Sequence, residues 1–150
     1  TRAMDEIVWT INPRNDTLEN LANYIFHYAQ EYFQDTGVRC RLDLPPVLPE
    51  RRISTETRHN LFMAVEEALN NILKHAAATE VRIALQVSDE ALEIIVTDNG
   101  RGLAAGQLDP TGEGLGNMRQ RLTKIGGEFK LRSRPEGTTI TQSLPGKWSA

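Results

Sequence analysis

Hydrophobic residues recur along this chain first mainly at the three-to-four spacing of helices and later at the two-residue spacing of strands. Met4, Ile7, Val8 and Ile11 repeat at helical spacing until Asn12-Pro13 ends the run. The pattern is already under way at Thr1, so residues 1–13 are expected to be the last turns of a helix continued from a longer protein. Asp16 followed by Glu19 reads as the start of a second helix, whose apolar stripe is Leu18, Leu21, Ala22, Ile25, Ala29 and Tyr32, with Gly37 closing it. Residues 38–44 alternate as a strand, and Pro45, Pro46 and Pro49 mark a loop. A third helix is predicted from Ser54 or Thr55 to His75, with Leu61, Val65, Ala68, Leu69, Ile72 and Ala76 facing the core.

Two alternating runs follow, Val81-Ile83-Leu85-Val87 and Leu92-Ile94-Val96, separated by Ser88-Asp89-Glu90, which is a hairpin signature. Residues 99–116 have no period and are rich in glycine, so they read as a long loop of the kind that serves as a lid or binding element. Asn117 to Ile125 reads as a short helix, and 127–134 and 138–144 as two more strands. Helices early and antiparallel strands late predict an α+β fold, a two-layer sandwich with helices on one face of a mostly antiparallel mixed sheet.

Composition narrows the function classes. The 150 residues suffice for one domain with a proper core. An acidic excess, 17 Lys+Arg against 20 Asp+Glu, argues against a nucleic-acid binder. The single cysteine, Cys40, alternates with Val38 and Leu42 on an apolar strand face and reads as packing, not as a reactive thiol. No apolar run approaches the roughly 20 residues a transmembrane helix needs, and no signal peptide is visible.

The candidate chemistry lies on the third helix and in the glycine-rich segments. Glu67, Asn71 and Lys74 stand at i, i+4 and i+7, on one side of the helix roughly opposite the apolar stripe. A polar face of this kind is ordinarily just solvated, but these three groups have a joint use. Asn71 offers a neutral oxygen suited to Mg²⁺, Glu67 can hold a metal or its water, and Lys74 can reach a phosphate. Glu66 is a rival that projects about 140° around the helix from Asn71, so the spacing selects Glu67.

Asp98 ends a strand and precedes Asn99-Gly100-Arg101-Gly102. A carboxylate there can accept a hydrogen bond from the exocyclic amine of adenine, whereas guanine would present a carbonyl and leave a polar group unpaired. Gly100 and Gly102 let backbone approach a base closely. Gly112-Glu113-Gly114-Leu115-Gly116 runs into a helix and offers free amides to an anion. It lacks the sixth glycine and preceding strand of a dinucleotide fingerprint, and no Gly-Lys-Ser/Thr of a P-loop follows.

In this order, and continued by Gly114-Leu115-Gly116-Asn117-Met118-Arg119-Gln120-Arg121-Leu122…Gly126-Gly127 and Gly137-Thr138, the motifs resemble the ATP-binding domain shared by gyrase, heat-shock chaperones, histidine kinases and MutL. The match is closest to the catalytic domain of bacterial sensor histidine kinases with a short lid, the branch that includes nitrate-responsive and membrane-fluidity sensors. The resemblance covers about residues 17 to 145. It implies a Bergerat-type fold that binds ATP with Mg²⁺ between a helix layer and the lid. It implies that Asn71 and Glu67 serve the metal, that Lys74, Gly112, Gly114, Leu115 and Gly116 serve the phosphates and lid, that His75 lines the nucleotide site or is structural, and that Asp98, Gly100, Gly102 and Thr138 hold adenine. Thr139, next in sequence, competes with Thr138 for that last role.

The implied reaction is transfer of the γ-phosphate to a histidine outside this chain. His27, His59 and His75 lack the acidic neighbour of an acceptor motif. Residues 1–13 are then the remnant of an upstream dimerisation and phosphoacceptor hairpin with its linker, and residues 14–150 the catalytic domain. The expected partners are that hairpin and a response regulator. The chain alone is expected to be mainly monomeric, its parent a homodimer, in the cytoplasm and either free or anchored in the inner membrane. Two other classes compete: a non-catalytic nucleotide-binding regulatory module, and a gyrase- or MutL-like ATPase with Glu67 activating water. The Met118-Arg119-Gln120-Arg121 sequence after the lid argues against the latter.

Overall fold

A computed structural model describes residues 17–49, 52–72, 77–100 and 113–145. The elements in chain order are α1 (Leu18–Phe33), β1 (Arg39–Asp43), α2 (Thr55–Asn71), β2 (Glu80–Val87), β3 (Ala91–Asp98), α3 (Glu113–Lys124), β4 (Glu128–Arg134) and β5 (Gly137–Pro145). The strands form one five-stranded sheet in the order β1-β2-β3-β5-β4. Among the described strands only β1 and β2 pair in parallel; the other pairs are antiparallel. The expected residues 1–13 and Asp16 lie outside the described residues.

Helix α1 starts at a cap the sequence reading did not select. The Thr17 hydroxyl accepts from the Asn20 amide at 3.2 Å, which satisfies one of the free N–H groups of the first turn. The helix ends at Phe33, short of Gly37. The amide and hydroxyl of Thr36 both donate to the Phe33 carbonyl, at 3.1 and 2.6 Å, and close the last turn before Gly37 adopts φ 80°. Its buried surface is wider than the predicted stripe, because Phe26, Tyr28 and Phe33 are buried too.

Ser54 caps α2, its hydroxyl accepting from the Thr57 amide at 3.2 Å. Leu61, Val65, Ala68, Leu69 and Ile72 are buried as the apolar stripe requires. The side turned to α1 is aromatic. Phe62 meets the rings of Tyr24 and Tyr28 edge-on at 4.9 and 5.2 Å, and the Tyr32 hydroxyl donates to Asn70 Oδ1 at 3.0 Å.

The β2–β3 hairpin has the predicted parity. Ile83 faces Val96, Leu85 faces Ile94 and Val87 faces Leu92, so both apolar runs cover one face of the sheet. Ile140 and Leu144 of β5 extend that face, and the helices close over it in a single core. On β1, Cys40 is partly buried against this core, and burial pushes its thiol up to about 11. It is a packing group at neutral pH.

Helix α3 begins at Glu113, not at Asn117. Glycine disfavours helix interiors by about 1 kcal/mol, which is why the segment reads as loop. Fully buried Met118 and Leu122, one turn apart, anchor the helix to the core, and its first turn extends back through Gly114 and Gly116. At the other end the Gly127 amide donates to the Leu122 carbonyl at 2.7 Å while Gly126 turns at φ 77°. No described helix is long and apolar enough to cross a membrane.

Candidate functional site

Strand β3 delivers Asp98 to the end of the sheet with only 4% of its surface exposed. The Gly100 amide donates to Asp98 Oδ1 at 2.8 Å. The second oxygen, Oδ2, is buried without a hydrogen-bond partner. Burial raises the carboxyl above its ordinary value, and the amides of Gly100 and Thr138 pull it partly back. A buried carboxylate with one oxygen satisfied and one free has an acceptor to offer a ligand, because leaving it unmet costs roughly 1–3 kcal/mol.

The neighbouring strand fixes the rest of this corner. Register pairs Thr97 with Thr139, so Thr138 comes alongside Asp98. Thr138 is buried on the helix-facing side of β5, and its hydroxyl lies 3.4 Å from that of Ser133. Thr139 has the opposite parity and points to the other face. Gly137 sits against the backbone of Asp98: a Cβ there would lie 2.1 Å from the Asp98 carbonyl oxygen, and its φ is 152°. Ser133 was not singled out by sequence reasoning; its parity opposite Thr138 is the signal that finds it.

Asn99, part of the same motif, does other work. Its Oδ1 accepts from the amides of Thr79 and Glu80 at 3.0 and 2.9 Å, and its Nδ2 donates to the Thr79 hydroxyl at 2.9 Å. It staples the start of β2 to the end of β3.

On α2, Glu67 and Asn71 are half-buried, one turn apart, and no hydrogen bond or ion pair to them is seen among the described residues. Glu66 stands midway between Phe62 and Asn70 at spacing of four, on the line turned to α1 and away from Asn71. Its Oε2 is buried without a hydrogen bond, although the side chain is engaged elsewhere. Lys74, His75, Gly102 and Gly112 lie outside the described residues, so the grouping of Lys74 with Glu67 and Asn71 is not described. Gly114, Leu115 and Gly116 fall in the first turn of α3, and Gly114 and Leu115 occupy positions whose backbone amides have no intrahelical acceptor.

The arrangement offers a buried carboxylate acceptor at a sheet end, two oxygen-bearing side chains on a helix with no partner among the described residues, and a glycine-bearing helix start. Residues 56–147 match the family described as histidine kinase-, DNA gyrase B-, and HSP90-like ATPase. The chain is 32% identical over 147 residues to the signal transduction histidine-protein kinase/phosphatase UhpB of Salmonella typhimurium, covering 97% of this chain and 29% of that protein. It is 31% identical to the sensor histidine kinase LiaS of Bacillus subtilis, over 69% of this chain and 29% of that one. It thus spans about three tenths of the length of these curated relatives. Among solved structures it resembles the histidine kinase domain of the blue-light activated histidine kinase of Erythrobacter litoralis EL346, with a TM-score of 0.70 at 23% identity, covering 83% of this chain and 60% of that chain. That likeness bears on the fold, and it agrees with the helix-covered mixed sheet. With its matched span running from the first turn of α2 through β5, the chain belongs to the histidine kinase-, DNA gyrase B-, and HSP90-like ATPase family, as an ATP-binding domain of the sensor histidine kinase type.

Proposed function

We propose that this domain binds Mg²⁺-ATP and supplies the γ-phosphate to a histidine elsewhere in a two-component sensor kinase. The observation that carries the adenine end of the reading is Asp98, buried with Oδ2 unpartnered. In this reading Oδ2 accepts from the adenine amine and rejects guanine, while Thr138 and the Gly100 amide hold the carboxylate in place. Asn71 presents its side-chain oxygen to Mg²⁺, and Glu67 accepts a hydrogen bond from a water on the metal. Among the described residues no three or more His, Cys, Asp or Glu side chains gather as a metal cage, so the ion would share its ligands with the nucleotide phosphates. When bound, the ion supplies neutralisation of phosphate charge. Lys74, His75 and the amides of Gly112, Gly114, Leu115 and Gly116 line the phosphates, with Gly102 beside the base.

Phosphoryl transfer rests on positioning and charge more than on covalent chemistry. The bond from the γ-phosphorus to its bridging oxygen breaks as a nitrogen–phosphorus bond forms on the acceptor imidazole, and ADP leaves. The acceptor, its dimerising hairpin and the response regulator are proposed partners in the parent protein.

Incubating the chain with γ-labelled ATP, alone and with the parent protein's helical hairpin added, tests the reading. Acid-labile label should appear on the hairpin and not on the chain. Transfer will be weak in the mixture, because tethering ordinarily supplies a millimolar effective concentration. Label on the chain itself would mean one of its own histidines is the acceptor. Rapid phosphate release without the hairpin would favour the ATPase reading, and binding with neither outcome the regulatory one.

A further inference from the structure

The outer face of the sheet, turned away from the helices, treats its charges differently at its two edges. Across β1 and β2 most are paired: Arg41 with Glu80 at 3.3 Å and Arg82 with Asp43, with Arg39 alone in no ion pair there among the described residues. On β4, Glu128 opens an exposed row that continues at two-residue spacing with Lys130, Arg132 and Arg134, and none of the three cations is in an ion pair among the described residues. Register places Thr141 beside Lys130 and Thr139 beside Arg132. These four side chains line a shallow concavity of about 610 Å³. Strand β4 is also terminal in the sheet, so one row of its backbone groups has no partner strand among the described residues. The chain carries a net charge of −3, so this basic row runs against its overall balance.

We propose that the β4 edge docks an extended acidic segment of a partner protein, added to the sheet as a further strand with carboxylates at alternate positions. Strand addition satisfies the open backbone groups, and its two-residue side-chain period matches the spacing of Lys130, Arg132 and Arg134. Other occupants fit less well. A second β4, paired antiparallel about Leu131, would set Lys130 against Arg132 in the middle of the row and leave only the outer Glu128 and Arg134 positions complementary. Three cations are few for a nucleic acid, whose binding grows with each phosphate neutralised. A membrane surface would want apolar anchors, yet the exposed large hydrophobics among the described residues, Leu44 and Val47, follow β1 at the opposite edge.

The test uses a peptide of 7 residues, the length of β4, with Glu at alternate positions. It is compared with a peptide of the same composition whose Glu residues are clustered at one end. Isotope-labelled chain is titrated with each, and affinity is measured for wild type and for Lys130→Glu/Arg132→Glu. Both substitutions lie at exposed positions, and a thermal melt checks the fold. The alternating peptide should perturb amides along β4, bind more tightly than the clustered one, and lose about tenfold in affinity in the reversed variant. A Lys-alternating peptide should regain binding to that variant. Equal binding of the clustered peptide, perturbations away from β4, or the same two-residue dependence for anionic vesicles or short DNA would overturn the assignment.

Discussion

The sheet end and the helix side of the proposed site are built to different tolerances. Asp98 is buried, hydrogen-bonded by the amide two residues on, and pressed from the side by the backbone of Gly137. Glu67 and Asn71 project half-buried from α2 and hold no described partner. A base is rigid and presents one edge, so a prebuilt acceptor suits it. Phosphates and a hydrated ion arrive in several arrangements, and side chains free to turn can meet them. The contrast divides the expected mutational effects: damage at the sheet end should reach the fold or abolish recognition, whereas damage on the helix should reach binding alone.

The strongest test of that division is Gly137→Ala. The added carbon cannot coexist with the Asp98 carbonyl at 2.1 Å, and φ 152° is strained for alanine. Denaturant unfolding should show a loss of about 3 kcal/mol, with ATP affinity falling alongside. Near-normal stability would mean that the sheet end yields as readily as the helix side.

Asp98→Asn comes next, with binding and stability moving apart. Calorimetry should show ATP affinity lowered about 100-fold. Stability should move the other way. The folded carboxyl is raised, so its contribution is fully present below the ordinary value of 3.8 and is lost as pH rises through the folded value. The variant has no charge to bury, so melts at neutral pH should find it no less stable than wild type, and any advantage should vanish at acid pH. A drop in stability at neutral pH would mean the charge is fully compensated.

Asn71→Ala should be smaller and confined to binding. Mg²⁺-ATP affinity should fall about tenfold while metal-free nucleotide is little affected. Unfolding should change by no more than about 0.5 kcal/mol. Equal losses with and without Mg²⁺ would remove Asn71 from the metal.

The smallest expected effect lies at the start of α2. His59 has its Nδ1 buried without a hydrogen bond, and burial, then Arg121 and Arg58, hold its pKa below the ordinary 6.5. Its contribution to stability is present above 6.5 and is lost as pH falls through the folded value. His59→Gln should flatten that part of the stability–pH curve. An unchanged curve would show that His59 titrates as freely as an exposed histidine.

These differences also mark what the sequence could carry. Alternation in Val81–Val87 and Leu92–Val96 announces two strands because each must bury one face, and the observed register follows from that need. The i, i+4 relation likewise puts Glu67, and not Glu66, on the Asn71 side of α2 without coordinates, and the α1-facing line through Phe62 and Asn70 places Glu66 on the other side. Which of Thr138 and Thr139 comes beside Asp98 is a question of parity relative to a strand some forty residues earlier, and the pairing of Thr97 with Thr139 fixes that placement. The parallel pairing of β1 with β2 is equally long-range. The early start of α3 was hidden for another reason. Glycine propensity speaks for loop, while Met118 and Leu122 anchor the helix through contacts that no local window contains.

The Asn99 staple bears on how such motifs are interpreted. Aspartate, asparagine and glycine stand side by side, and a scan that found all three sensitive would invite the conclusion that all three touch the nucleotide. Asn99 instead holds the chain entering β2 against the chain leaving β3, with its carbonyl oxygen shared between two amides. Adjacency in sequence here joins a proposed recognition element to a piece of carpentry. Any lineage that changes the staple needs a new brace at Thr79 and Glu80, not a new ligand.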